Sequence, residues 1–288
     1  MMVTTNEPRN HHYVQAAYLR GFADQSGVLH VYLKSHNRWF RNIPKNIMWK
    51  DGYYRQGWLP EGEDKNILEK SFGSSIEPKG LSALQKLIDS PDALDSGDME
   101  DIIAYIDLQR LRVPRQADLL NSYSKKTFTS EELIASGLED ENYFRLDFLK
   151  WMHGQSSPYL SRMRWHLIRV DEGSSFITSD SPITLINQGF KPPAEPGLGL
   201  YGTIVLFPIN KYYLLYLGHP EFARKEKGAT ERLPDDLEMQ DTCVQIRRGT
   251  WPKEMVEAAN CIICDLSHNA VVADSKEVLE AAVFNSKA

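Results

Sequence analysis

Three short segments place polar, chemistry-bearing side chains where apolar ones are expected. The first is His11-His12-Tyr13-Val14, followed by Tyr18-Leu19 and Phe22. Histidine titrates nearest neutrality, so one that faces a cleft can exchange a proton or ligate a metal. One that faces the core must satisfy both ring nitrogens within the chain. The second segment is Gln109 with Arg112, just before Val113-Pro114. An amide beside a planar fork of N–H donors suits a carboxylate or a phosphate, and equally an acidic group of the protein itself. The third is Ser179-Asp180-Ser181-Pro182, directly after Phe176-Ile177-Thr178. An aspartate at a strand end can supply an active-site acid, and before a proline it can equally close an Asx turn on local N–H groups.

Taken together, these residues predict a hydrolase acting on a phosphodiester or other anionic substrate, in the manner of a nuclease. His12 would be general base or metal ligand, and Asp180 a metal ligand or orienting carboxylate. Gln109 and Arg112, with His11 and Ser179 beside them, would hold the anionic group. The condition is geometric: His12, Gln109, Arg112 and Asp180 must open on one pocket that solvent reaches. The alternative is a non-enzymatic module that binds a ligand, a nucleic acid or a protein, with the same polar cluster holding the fold. A divalent metal is compatible with the first reading. Structural zinc at Cys243, Cys261, Cys264 and His268 is disfavoured, because zinc motifs use two tight pairs and this chain has one. No HExxH, GxSxG or glycine-rich phosphate loop occurs, which weakens metalloprotease, serine-hydrolase, nucleotide triphosphatase and dehydrogenase readings.

Charge is unevenly spread. The first sixty residues carry eight Lys/Arg against three Asp/Glu, in a chain of 288 residues whose formal net charge is −6. Between Lys34 and Arg55, the cations Lys34, Arg38, Arg41, Lys45, Lys50 and Arg55 alternate with Trp39, Phe40, Trp49, Tyr53 and Tyr54. Interleaved cations and rings suit an anionic small molecule or single-stranded nucleic acid, with Arg38 and Arg41 as contacts. The plainer reading is a hairpin whose aromatics face the core and whose charges face water. The overall negative charge favours it, because it repels a polyanion at long range.

These residues need elements to hold them. Asn10–Ala23 has helical spacing (Ala16, Leu19, Ala23), which puts His12 on the apolar face and His11 beside it. Val28–Lys34 and Arg38–Ile43 read as paired strands across Ser35-His36-Asn37, with a third at Gly52–Arg55. Residues 61–89 read as helix broken near Pro78, and 99–126 as a long helix interrupted at Pro114. Its buried stripe is Ile102, Ile106 and Val113, with Gln109 inside it. Helical spacing returns at 130–136 and 142–152. After Pro158 the pattern turns to strands at 165–170, 175–178, 183–186, 203–207 and 212–217, then to a helix, a short apolar run at 270–273 and a terminal helix from Lys276. The glycine- and proline-rich stretch 187–202 predicts a flexible cover.

Segregated helices and strands predict an α+β fold in a single domain spanning 1–288. Its N-terminal two-thirds would be mostly helical with a small basic–aromatic hairpin at about 27–58, packed with an antiparallel-rich sheet from the C-terminal part. The longest purely apolar run is Tyr212–Leu217, too short to cross a bilayer, and the polar residues 1–10 predict no apolar leader. With only three cysteines, the chain is expected in the cytoplasm. The segments above, with Val205-Leu206-Phe207-Pro208, resemble the domain-of-unknown-function family numbered 4238 over nearly the whole chain. That resemblance groups the three polar segments into one pattern, leaves Cys261 and Cys264 outside it, and implies no reaction. The family usually has proline and glutamine after the His-Tyr-Val run, where this chain has Gln15 and Ala16.

Overall fold

The computed structural model describes residues 10–127, 129, 131–132, 141–192, 194–220, 228–234 and 246–286. The fold is α+β, and two sheets organise it. The smaller contains β2 (Leu29–Leu33), β3 (Arg38–Asn42), β6 (Thr178–Ser179) and β11 (Ala270–Ala273), in the antiparallel order β3-β2-β11-β6. Its hairpin turns at Asn37, whose φ of 44° is a left-handed value that asparagine tolerates. Strand β11 is buried on both faces, which explains the unbroken apolar run Ala-Val-Val-Ala. Val272 joins the core cluster on one side, and Val271 joins the second cluster on the other.

The larger sheet runs β10-β5-β9-β8-β7, from β10 (Ile246–Trp251), β5 (Arg164–Val170), β9 (Tyr213–Gly218), β8 (Ile204–Asn210) and β7 (Thr184–Ile186). It is antiparallel except where β10 lies parallel to β5. Strand β10 is not legible in the sequence, because Ile-Arg-Arg-Gly-Thr-Trp lacks apolar alternation and lies at an exposed edge. Period-two alternation along β5 sends Trp165 and Leu167 into one cluster, and Ile168 and Val170 into the other.

Helices α3 (Glu77–Asp89) and α4 (Ser96–Leu111) pack against the first cluster. Asp95 caps α4 in a reciprocal box with Asp98. Gly80 allows the close crossing, since a Cβ there would collide with the Tyr105 ring. The crossing sets the first turn of α3 beside the end of α4, where Arg112 lies. The expected break at Pro78 does not occur. Proline occupies the first turn of α3, which continues directly from the helical turn before it, since Ile76 and Glu77 already have helical φ and ψ. The preceding turn, Phe72–Ile76, is widened to a π-helix after α2 (Ile67–Ser71). Pro114 does end α4, and α5 (Pro114–Thr127) restarts from it. Then follow α6 (Glu141–Met152), α7 (Ser157–Arg162), α8 (Lys253–Leu266) and α9 (Lys276–Asn285). Most of the helix expected at 130–136 lies outside the described residues, as does Cys243. Among the described residues, no helix is long and apolar enough to cross a membrane.

The largest departure is at the first segment. Residues Asn10–His12 are strand β1, paired with β4 (Trp49–Asp51), and α1 is only Ala16–Leu19. The expected third strand thus falls at 49–51, before the turn at 52–54. Tyr13 and Val14 donate their N–H groups to the Met48 carbonyl (3.0 and 3.4 Å), and Gln15 is extended at ψ 136°. The backbone groups that a helix would use internally are claimed from outside. His12 and Leu19 therefore share no helical face.

Candidate functional site: a buried seam and the pocket beside it

Three side chains from the long helical stretch and the turn after β4 hold the extended segment. Arg112, 1% exposed, donates from Nε to the Tyr13 carbonyl (3.0 Å) and from Nη2 to the His12 carbonyl (2.8 Å). Its Nη1 bonds to Glu77 at the start of α3. Gln109, also 1% exposed, donates from Nε2 to the same Tyr13 carbonyl at 2.8 Å. Tyr54 caps the arrangement: its N–H donates to His11 Nδ1 (2.9 Å) and its hydroxyl to the Arg112 carbonyl (3.2 Å). Its ring lies nearly parallel to that of His11, with 5.8 Å between centroids. Every side-chain nitrogen of Arg112 has a partner within the chain. The anion-holding role expected of Gln109 and Arg112 does not fit this geometry, because each is already engaged by backbone or by Glu77.

Asp180 is engaged in the same way elsewhere. It is 2% exposed, and Oδ1 accepts from the His268 N–H (3.0 Å), while Oδ2 accepts from Asn269 and Ala270 (both 2.8 Å). It pins the turn between α8 and β11 to the end of β6. Burial pushes its pKa up against the pull of those N–H groups and of His268. Ser179, fully buried, accepts the Ser181 N–H on Oγ (3.1 Å), which closes a local turn. Tyr18 links the remaining segments. Its hydroxyl donates to the Pro208 carbonyl and lies 2.7 Å from Thr178 Oγ1. His11–Tyr18, Gln109–Arg112, Thr178–Asp180 and Phe207–Pro208 are thus one continuous seam. Gln109 and Arg112 meet on the carbonyls of residues 12 and 13, whereas the His12 imidazole turns to the Lys45 carbonyl and the Asp180 carboxylate to the α8–β11 turn, so the four side chains do not meet. Burial raises the pKa of Tyr13, and the charge of Asp180 raises it further.

His12 differs from its neighbours. It is half-buried, and its Nε2 donates to the Lys45 carbonyl (3.1 Å), which fixes the neutral tautomer and leaves the lone pair on Nδ1. Burial lowers its pKa and the Arg112 charge adds to this, while the Lys45 carbonyl opposes it. Nearby in α2, burial lifts Glu69 to about 7, with Arg112 pulling against it. No pattern in the sequence points to Glu69, Glu77 or Tyr54. Two are ordinary carboxylates on amphipathic helices, and the third is one ring among many.

A small cavity of about 10 Å³, room for about one water, lies next to the seam. Gln109, Arg110, Arg115, Gln116, Ser181 and Glu195 are among its lining residues. Glu195, from the 187–202 stretch, lines this cavity together with Gln109 and Ser181. Glu195 Oε1 accepts from Gln116 Nε2 (2.7 Å), and Oε2 lies 3.2 Å from Arg115 Nε. On the basic–aromatic segment, the Trp39 ring packs on Tyr32 (4.4 Å) and Tyr54 is buried, as the plainer reading expects. Arg38, Lys45, Lys50 and Arg55 are exposed, as is Arg41, which pairs with Asp24 (2.8 Å). Trp49 is 36% exposed and is the register partner of His12. Among the described residues, no group of three His, Cys, Asp or Glu is placed to hold a metal ion.

No curated protein and no solved structure matches the chain. A family model described as "Protein of unknown function (DUF4238)" matches residues 10–277, a span that contains every residue of the seam. The segments with a catalytic look are the ones that tie this span together, and the chain belongs to the DUF4238 family.

Proposed function

We propose that this protein is a non-enzymatic binding module for an anionic partner, with single-stranded nucleic acid as the first class to test. The observation that carries this reading is the engagement of Arg112, Gln109 and Asp180 by the chain's own backbone. Side chains so committed support a role in maintaining the fold. The contact surface would be Trp49 with Lys45 and Lys50, flanked by Arg38 and Arg41. An exposed indole between cations offers a base-stacking platform and phosphate contacts. Fluorescence anisotropy with a labelled single-stranded oligonucleotide tests it. Binding should weaken as salt rises, and Trp49→Ala should weaken it at constant salt. Affinity that no surface substitution changes would remove this contact surface.

A hydrolytic reading has one observation in its favour, the Nδ1 lone pair of the half-buried, neutral His12. It would act as a general base toward a phosphodiester, in a region where Glu69 also titrates near neutrality. Turnover of a chromogenic phosphodiester that His12→Ala abolishes in a folded protein would support it. Equal rates for both proteins would end it.

A further inference from the structure

Arg110 and Arg115 flank Arg112 in sequence and differ from it in how they are held. Both are largely buried, with side chains 13% and 15% exposed. The carboxylate between them comes from Glu195 in the cover, itself 15% exposed. Its Oε2 lies 3.2 Å from Arg115 Nε, its Oε1 lies 3.9 Å from Arg110 Nη1, and Gln116 Nε2 donates to Oε1 at 2.7 Å. Arg110 is further tied by Nη2 to Ser156 Oγ (3.0 Å) and more loosely to Asp107 (3.8 Å). Arg115 bonds by Nη1 to the Leu266 carbonyl. Two polar groups at this cavity have no partner: Arg110 Nε and Ser181 Oγ, the latter on a residue only 6% exposed. Buried polar atoms without partners are uncommon, and here two line one polar cavity that also holds an amide and two guanidinium groups.

We propose that Arg110, Arg115, Gln116 and Ser181 form a binding pocket for a carboxylate-bearing ligand, and that Glu195 fills it in the unliganded protein. The guest already there defines the chemistry: a planar carboxylate taken by one amide N–H and two guanidinium groups. Withdrawing Glu195 without replacement would leave Arg115 with no carboxylate among the described residues, which is costly for a largely buried cation. Exchange for another carboxylate keeps the charge balanced. The Ser181 hydroxyl and Arg110 Nε are donors that Glu195 leaves unused. Displacement of Glu195 would couple ligand entry to movement of the loop that bears it. This pocket does not depend on the basic–aromatic surface, and either can fail without the other.

Calorimetric titration with propionate, the side-chain fragment that Glu195→Ala removes, tests this at ionic strength matched with sodium chloride. Wild-type protein should bind propionate weakly but saturably, Glu195→Ala at least tenfold more tightly, and Arg115→Ala in either background not at all. Hydrogen exchange on the wild-type protein gives an independent readout, and saturating propionate should speed exchange at residues 194–200. Three results would overturn the proposal. One is saturable binding by Glu195→Ala with none by wild type, which marks an internal ion pair only. Another is binding that survives Arg115→Ala. The third is saturation by inorganic phosphate with no response to propionate.

Discussion

Arg112 and its neighbours Arg110 and Arg115 sit within six residues of chain and do opposite things. Arg112 turns all three nitrogens inward, onto the carbonyls of His12 and Tyr13 and onto Glu77. Arg110 and Arg115 share one carboxylate from a loop, at 3.9 and 3.2 Å, and one nitrogen of Arg110 has no partner. The contrast separates a guanidinium that is part of the fold from guanidinium groups held by a replaceable partner. Residue type alone does not distinguish them. What distinguishes them is that Arg112 holds the carbonyls of the extended segment and a helix-borne carboxylate, whereas Arg110 and Arg115 share a carboxylate carried by a loop.

The contrast can be broken by substitution. Arg112→Ala takes the guanidinium from the His12 carbonyl and the Glu77 carboxylate and leaves the Tyr13 carbonyl to Gln109 alone, and should cost about 3–5 kcal/mol of stability, read by urea unfolding. Asp180→Ala orphans three N–H groups at the α8–β11 turn and should cost about 3 kcal/mol in the same assay. Gly80→Ala forces α3 away from the Tyr105 ring and should cost about 1–3 kcal/mol, an overpacking effect that also loosens the Glu77–Arg112 pairing. By comparison, Arg115→Ala should cost little, because its carboxylate partner can turn to solvent.

Glu69 gives a pH-dependent prediction. Its folded pKa of about 7 lies above the ordinary value of 4.5, so the folded state holds a proton that the unfolded state has released. The stability it contributes is complete below pH 4.5 and lost as pH rises toward about 7. Thermal melts of Glu69→Gln between these limits should lack that decline. His12 acts in the opposite sense. Its lowered pKa means the unfolded state protonates first, so stability falls as pH drops below 6.5. The smallest expected effect is on the surface. Neutralising both Arg38 and Arg41 should lower the salt slope of oligonucleotide binding by about 0.7 for each phosphate that is no longer neutralised.

Much of the helix and strand layout is legible in the sequence, because helical spacing of apolar residues along 99–126, alternation along 165–170 and the apolar run at 212–217 all mark burial, α4 being buried nearly all round. The three polar segments also stand out as belonging together. Their direction does not. The spacing of Ala16, Leu19 and Ala23 suits a helix, yet residues 10–14 are extended because Met48, Gln109 and Arg112 claim their backbone groups from elsewhere in the chain. Asp180 has the local signature of an acid at a strand end. Its partners are N–H groups some ninety residues away, at a turn that nothing local announces. Glu195 is legible only as part of a cover, since a single glutamate in a proline-rich loop has no periodic signal. Long-range side-chain-to-backbone bonds leave no local trace, and this seam is made of them.

Arg112 tests most directly whether the seam holds the fold and leaves binding to other surfaces. One sample of Arg112→Ala suffices, with urea unfolding and oligonucleotide affinity both measured under conditions where it remains folded. The predicted result is a large loss of unfolding free energy with affinity per folded molecule unchanged. Wild-type stability with affinity abolished would contradict it, and would place Arg112 in the binding machinery itself.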